Sequence, residues 1–105
     1  FSHKIRKITS DGLVSTLAGS GTIGSLDGNS TNSRFNRPTG VAVDLAGNVY
    51  VSDSYNHKIR KITPQGDVST FAGTGVEGSA DGPGNAATFR YPYGVAVDKS
   101  GNVYV

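Results

Sequence analysis

The segment from His3 to Thr9, His-Lys-Ile-Arg-Lys-Ile-Thr, recurs unchanged from His57 to Thr63, an offset of 54 residues. The offset holds along the chain. Gly40–Asp44 returns as Gly94–Asp98, and Gly47–Val51 returns as Gly101–Val105. Of the 51 residue pairs at this spacing, 30 are identical, and no gap is needed to align them. A fixed period of this kind is the mark of a repeat architecture, in which one supersecondary unit buries its apolar surface only against copies of itself. The chain therefore reads as about two copies of one unit.

Composition narrows the classes. Only 35% of the 105 residues are hydrophobic, and 15 are Gly. Such a chain could be disordered, but its regular β-branched segments argue for strands. A net charge of +2 makes no field strong enough to point to nucleic acid or to a membrane surface. There is no Cys, which excludes disulfides and thiolate metal sites. No apolar stretch has the length of a membrane-spanning helix, and no signal-peptide pattern is seen. Met is absent even at position 1, so we expect a trimmed fragment, a processed product or the ordered part of something longer.

Residues 38–72 hold one full unit. Gly40–Asp44 is a short apolar run of the kind that forms a buried strand. Asp44-Leu45-Ala46-Gly47-Asn48 carries Asp, Gly and Asn where a hairpin needs a positive-φ residue. Asn48–Ser52, His57–Thr63 and Val68–Ala72 read as three further strands, joined by the turns at 52–56 and 64–67. Four antiparallel strands with two apolar faces must be packed between like sheets, and radial packing makes a β-propeller. The Gly-, Ser- and Asp-rich segments 19–37 and 73–91 are long inserts at the same place in both copies. They read as blade-to-blade connectors, each anchored by a Phe (Phe35 or Phe89). The predicted fold is all-β: residues 1–18 supply strands three and four of one blade, 38–72 a complete blade, and 92–105 strands one and two of the next.

The run from Arg37 to Ile62 (Arg-Pro-Thr-Gly-Val-Ala-Val-Asp, then Gly-Asn-Val-Tyr-Val-Ser-Asp-Ser-Tyr-Asn-His-Lys-Ile-Arg-Lys-Ile) resembles an NHL repeat. The Asn56-His57 pair carries the first two letters of that name, and Ile59 and Ile62 take the apolar role of its Leu. The inserts are similar to those of long-insert NHL repeats in bacterial secreted or surface proteins. The first copy departs from the pattern at Phe1-Ser2-His3, where Tyr-Asn-His is expected. The resemblance implies a propeller, six-bladed as a rule, with the first strand of each blade lining a central channel. It also implies an extracellular or cell-surface setting.

Phe1 aligns with Tyr55 and Val105 with Val51, so each end is expected to leave a half-blade with an open sheet edge. Such edges are templates for pairing. We expect head-to-tail association into a closed propeller, three copies giving six blades and four giving eight; the contact closes only if the rotation per copy divides a full turn. The alternative is a segment of one longer secreted propeller, or a filament.

Several motifs tempt. Gly19-x-Gly21-x-x-Gly24 and Gly73-x-Gly75-x-x-Gly78 fit a dinucleotide fingerprint, but turn formers follow instead of a helix, so tight connectors are expected and no cofactor. Asp44 and Asp98 stand where Asp caps a hairpin turn. Asp27 and Asp81 lie one blade apart and do not converge as calcium ligands would. His3 and His57 lie in different blades, too far apart to share zinc, and the metal-binding His of family enzymes such as the amidating lyases have no match. The basic third strands (Lys4, Arg6, Lys7; Lys58, Arg60, Lys61) read as rim and inter-blade packing in preference to the RNA-binding face of some NHL domains. Asn29-Ser30-Thr31 is a glycosylation sequon without a counterpart in the second copy.

Up-and-down connectivity places the turn after strand two on the same face as the inserts. That face gathers Arg34, Arg37, Asp53, Tyr55, Asn56, Arg90, Tyr91 and Tyr93. Arg and Tyr are the types enriched at recognition hot spots. The expected function is a non-enzymatic scaffold that assembles with itself and binds a protein, glycan or anionic ligand on this face. The enzymatic alternative is lactonase- or lyase-type activity elsewhere in a longer propeller. A sugar-binding trimer is disfavoured by the lack of Trp. No metal or other cofactor, membrane or nucleic-acid partner is expected.

Overall fold

The computed structural model describes residues 2–105, which form three antiparallel sheets. The first sheet pairs β1 (Ile5–Ile8) with β2 (Val14–Ala18). The second is a four-stranded meander of β3 (Pro38–Val43), β4 (Val49–Asp53), β5 (Lys58–Ile62) and β6 (Val68–Ala72). The third pairs β7 (Ala96–Val97) with β8 (Val103–Tyr104). The turn Ser54–Asn56 is a single 3-10 turn, and no helix of the described residues is long and apolar enough to cross a membrane. The chain is thus all-β, built of propeller-type antiparallel sheets. The alignment of Phe1 with Tyr55 falls outside the described residues.

The hairpins form for local reasons. Asp44 Oδ1 accepts hydrogen bonds from the backbone N–H groups of Ala46 and Asn48, and Oδ2 accepts from Asn48 Nδ2 and Tyr50 Oη. Asp98 repeats this with Ser100, Asn102 and Tyr104. Gly47 and Gly101 close the two turns at φ near +90, a conformation that costs a residue with a Cβ energy. These bonds favour the ionised carboxyl. Asp44 is held below the ordinary value of 3.8, chiefly by Asn48, and Asp98 likewise, chiefly by Asn102.

The β1–β2 and β5–β6 ladders slip at equivalent places. Ile5 pairs with Ala18 but Arg6 with Thr16, and Ile59 pairs with Ala72 but Arg60 with Thr70. One residue, Leu17 or Phe71, is extra in each partner strand, which is a β-bulge that bends the strand and re-aims side chains. The core lies between the first sheet and the complete one, under the first insert. It contains Ile5, Ala18, Phe35, Val51, Ile62 and Val68. Phe35 is fully buried there, so it anchors its insert; Phe89, at the open end, is only half-buried.

Candidate functional site

The inserts decide what the upper face can present. Gly19 and Gly73 both have φ near +100, and a Cβ on either would lie 2.7 Å from the backbone oxygen of His3 or His57. Each Gly-x-Gly-x-x-Gly run is therefore a tight connector pressed against the preceding strand, and no helix follows it. At the far end of each insert the backbone turns through a positive φ on a non-Gly residue, Arg37 or Tyr91. The N–H of Arg37 donates to His3 Nδ1 at 3.1 Å, and that of Tyr91 donates to His57 Nδ1 at 3.0 Å. The two histidines thus hold the connectors in place, a role that the repeat pattern alone did not reveal.

Four residues of the expected binding face come together. Tyr55, on the 3-10 turn, is fixed by its N–H bond to Asn36 O. The Arg37 guanidinium lies 4.5 Å above the Tyr55 ring centre, and its Nη1 donates to Tyr55 Oη at 3.2 Å. Tyr91 packs edge-on against Tyr55 at 5.3 Å and against His57 at 4.5 Å. Tyr93 completes the wall, with its ring largely in solvent. Thr39 sits at the base, donating from Oγ1 to Tyr93 O at 3.0 Å. Together with Ser54 these residues line a cleft of about 410 Å³.

The other four do not belong to this cleft. Asp53 is fully buried and structural: Oδ1 accepts from Asn36 N–H, and Oδ2 from Asn56 Nδ2 and from Arg60 Nη1 at 2.7 Å. The expectation that it faces a ligand is corrected, because the first insert closes over it. Asn56 is likewise spent internally, donating to Gly24 O as well as to Asp53. Arg34 contributes its backbone oxygen to Arg60 Nη1. Arg90 is exposed at the rim beside Glu77, which also lies 3.7 Å from His57 Nε2.

Arg60, expected among the rim and inter-blade residues, is instead fully buried. It lies wholly buried within the third strand, where its charge is taken up by Asp53 and Asp27 and by the backbone oxygens of Arg34 and Leu26. Its Cζ lies 4.9 Å from the Phe35 ring centre, and Nε has no partner among the described residues. The available signal was its place in the alternation of β5, two residues from buried Ile62 and on the same face. Among the described residues no group of three or more His, Asp or Glu could hold a metal ion.

Comparison with known proteins bears on the same residues. Residues 35–62 match the family described as NHL repeat. The chain is 34% identical over 103 residues to NHL repeat-containing protein 2 of Bos taurus, an alignment covering 94% of this chain and 14% of that protein. A solved structure of a structural genomics protein of unknown function from Bacteroides thetaiotaomicron superposes with a TM-score of 0.88 at 35% identity, covering 97% of this chain and 26% of the other. An auxiliary nutrient binding protein from the same organism superposes with a TM-score of 0.79 at 28% identity, covering 94% and 28%. The chain spans between 8% and 16% of the curated relatives it matches.

Proposed function

The chain belongs to the NHL-repeat family, and on that premise we propose that it is a non-enzymatic binding scaffold whose ligand surface is the cleft of Arg37, Tyr55, Tyr91 and Tyr93. One observation carries this reading: tyrosines gather where the two copies differ. Arg37 stands where the second copy has Tyr91, and Thr39 where it has Tyr93. The residues that build the scaffold, such as His3/His57, Asp44/Asp98 and Gly19/Gly73, are the same in both. Tyr93 is 73% exposed and its side chain makes no hydrogen bond among the described residues, so folding does not explain the choice of that side chain.

Three aromatic rings beside a guanidinium suit a saccharide that carries a carboxylate. Ring faces stack on the apolar face of a sugar, and the guanidinium fork matches the acid group. The tyrosines supply the aromatic surface whose absence as Trp counted against sugar binding. The similarity to an auxiliary nutrient binding protein supports a binding role. Calorimetric titration with a galacturonic acid oligomer tests this. Binding is expected, weakened at least about tenfold by Tyr93→Ala, or roughly 1.4 kcal/mol. No binding of acidic or neutral oligosaccharides, or an affinity unchanged in Tyr93→Ala, would overturn it.

The second part of the proposal is self-assembly. The outer side of the complete sheet and the last hairpin border an open hollow of about 980 Å³ that includes Phe71, Phe89 and Val105. The first hairpin leaves another of about 440 Å³, with Ile5, Leu17, Val41 and Val43 on its walls. In this proposal the strands of a like repeat fill both. Head-to-tail joining of three copies closes a six-bladed ring. Native mass measurement on the 105-residue polypeptide is expected to give a trimer; a folded monomer persisting at high concentration would overturn this part.

A further inference from the structure

We infer that Arg6 and Asp81 are the two halves of a latch between copies of this chain, by which the second insert of one copy clamps the first hairpin of the next. The inference rests on the head-to-tail reading and adds the residues that make the joint.

The chain contains this latch once, already closed. The first insert passes over the sheet that follows it. Asp27 Oδ1 meets Arg60 Nη2 at 2.8 Å, and both its oxygens accept from Thr70 Oγ1 at 3.2 Å. Gly28 and Val68 exchange two backbone hydrogen bonds, N–H of each to the oxygen of the other, at 3.0 and 2.7 Å. Phe35 lies beneath the guanidinium. The insert thereby adds a short bridge to the outer edge of the blade and brings a carboxylate to its third strand.

Every one of these residues has an identical counterpart 54 positions away, although 21 of the 51 residue pairs along the repeat differ. On the insert side the counterparts are Asp81, Gly82 and Phe89. On the blade side they are Arg6, Thr16 and Val14. Here both halves stand open. Arg6, Val14, Thr16, Asp81 and Gly82 are all exposed, and neither Arg6 nor Asp81 has a hydrogen bond or ion pair from its side chain among the described residues.

The second insert keeps two of the backbone bonds that shape the first, without anything to clasp. Gly78 N–H donates to Phe89 O as Gly24 N–H does to Phe35 O, and Thr88 N–H donates to Ala80 O as Arg34 N–H does to Leu26 O. Ala80 N–H turns to Thr88 Oγ1 where Leu26 N–H goes to Arg34 O, and the carbonyls of Ala80 and Thr88 are the sequence counterparts of those of Leu26 and Arg34 that receive Arg60. A clasp preformed in this way binds without the entropy of ordering a loop. Its two surfaces carry opposite charge at the matching position, and the residue that fits each is found on the other end of the same chain. The partner we propose is a second copy, which supplies the residue that fits each half.

Charge reversal tests the latch, read by sedimentation of the full 105-residue chain across a concentration series, with circular dichroism to verify the fold of each variant. Both sites are exposed, so Arg6→Glu and Asp81→Arg should keep the monomer fold. Each is expected to weaken assembly at least about tenfold, since each sets like charges together at a joint whose guanidinium side is buried and whose carboxylate side stays half exposed in the closed pair. The double variant Arg6→Glu with Asp81→Arg restores the ion pair in reversed sense and is expected to recover part of the association lost in either single variant, because the carbonyls that would receive the guanidinium have no donor in it. If assembly forms and neither single reversal weakens it, the latch is wrong while head-to-tail joining stands. If the unaltered chain remains monomeric at every concentration, head-to-tail joining fails and the latch with it.

Discussion

His3–Thr9 and His57–Thr63 are the same seven residues, yet they live in different environments. In the second segment Ile59, Arg60 and Ile62 are buried; in the first, Ile5 is buried while Arg6 and Ile8 lie open, Ile8 at 68% exposure. Propensity, alternation and the bulge are identical in the two. What differs is what surrounds them. β5 has β4 beside it and the first insert above it, whereas β1 has only β2 for a neighbour in its sheet. The pair shows that local sequence determines the strand and that flanking layers determine whether its charge is a core group or a surface one.

Substitutions at matched positions can break or sharpen this contrast. The largest effect is expected from Arg60. Arg60→Ala leaves Asp53 buried without its cation, and removing one partner of a buried pair costs about 3–5 kcal/mol. Arg6→Ala, at concentrations too low for association, is expected to change stability by no more than ~0.5 kcal/mol. Urea unfolding of the two variants side by side measures the difference; equal losses would mean that Arg60 is not held as described.

A similar asymmetry is expected for the anchoring phenylalanines. Phe35→Ala opens the core beneath the first insert at a cost of about 3–5 kcal/mol. Phe89→Ala should cost clearly less, because its ring is only half-buried. Thermal melts of both variants would show it.

Glycines give a smaller and sharper comparison. Gly73→Ala meets both a positive φ and the His57 backbone oxygen, whereas Gly12→Ala meets a positive φ and open space. Gly12→Ala should cost about 1–2 kcal/mol, the penalty for a left-handed L-residue, and Gly73→Ala more than that. A reversed order would count against the close approach of connector and strand.

The smallest effect is expected from pH. The carboxyl of Asp44 is held below its ordinary 3.8 by bonds that exist only in the fold. Its stabilisation is therefore complete above the unfolded value and is lost as pH falls through the folded one. Asp44→Asn should flatten the acid limb of stability below about pH 4. An acid limb identical to that of the unaltered chain would remove Asp44 from the account.

Much of the architecture was legible in the sequence because period, alternation and turn chemistry all agreed. Gly47 and Asp44 predict a hairpin without any tertiary knowledge, and Val68–Ala72 forms a strand as read. The tyrosine cleft was half legible: Arg37, Tyr55, Tyr91 and Tyr93 could be placed on one face but not brought within contact. Asp53, Asp27 and Arg60 were not legible as a cluster. They come from three separated segments, and their meeting depends on how the first insert folds back over the sheet. A turn-forming Asp-Gly pair such as Asp27-Gly28 also conceals a tertiary role, since local capping accounts for it well enough.

Amide hydrogen exchange resolved by residue, on the chain at monomeric concentration, tests the central claim most directly. The amides of Arg60 and Ile62 should exchange at least about a hundredfold more slowly than those of Arg6 and Ile8, because only the former strand is enclosed. Equal protection of the two identical segments in the monomer would contradict the claim that neighbouring layers, and not the strand's own residues, make the stable blade.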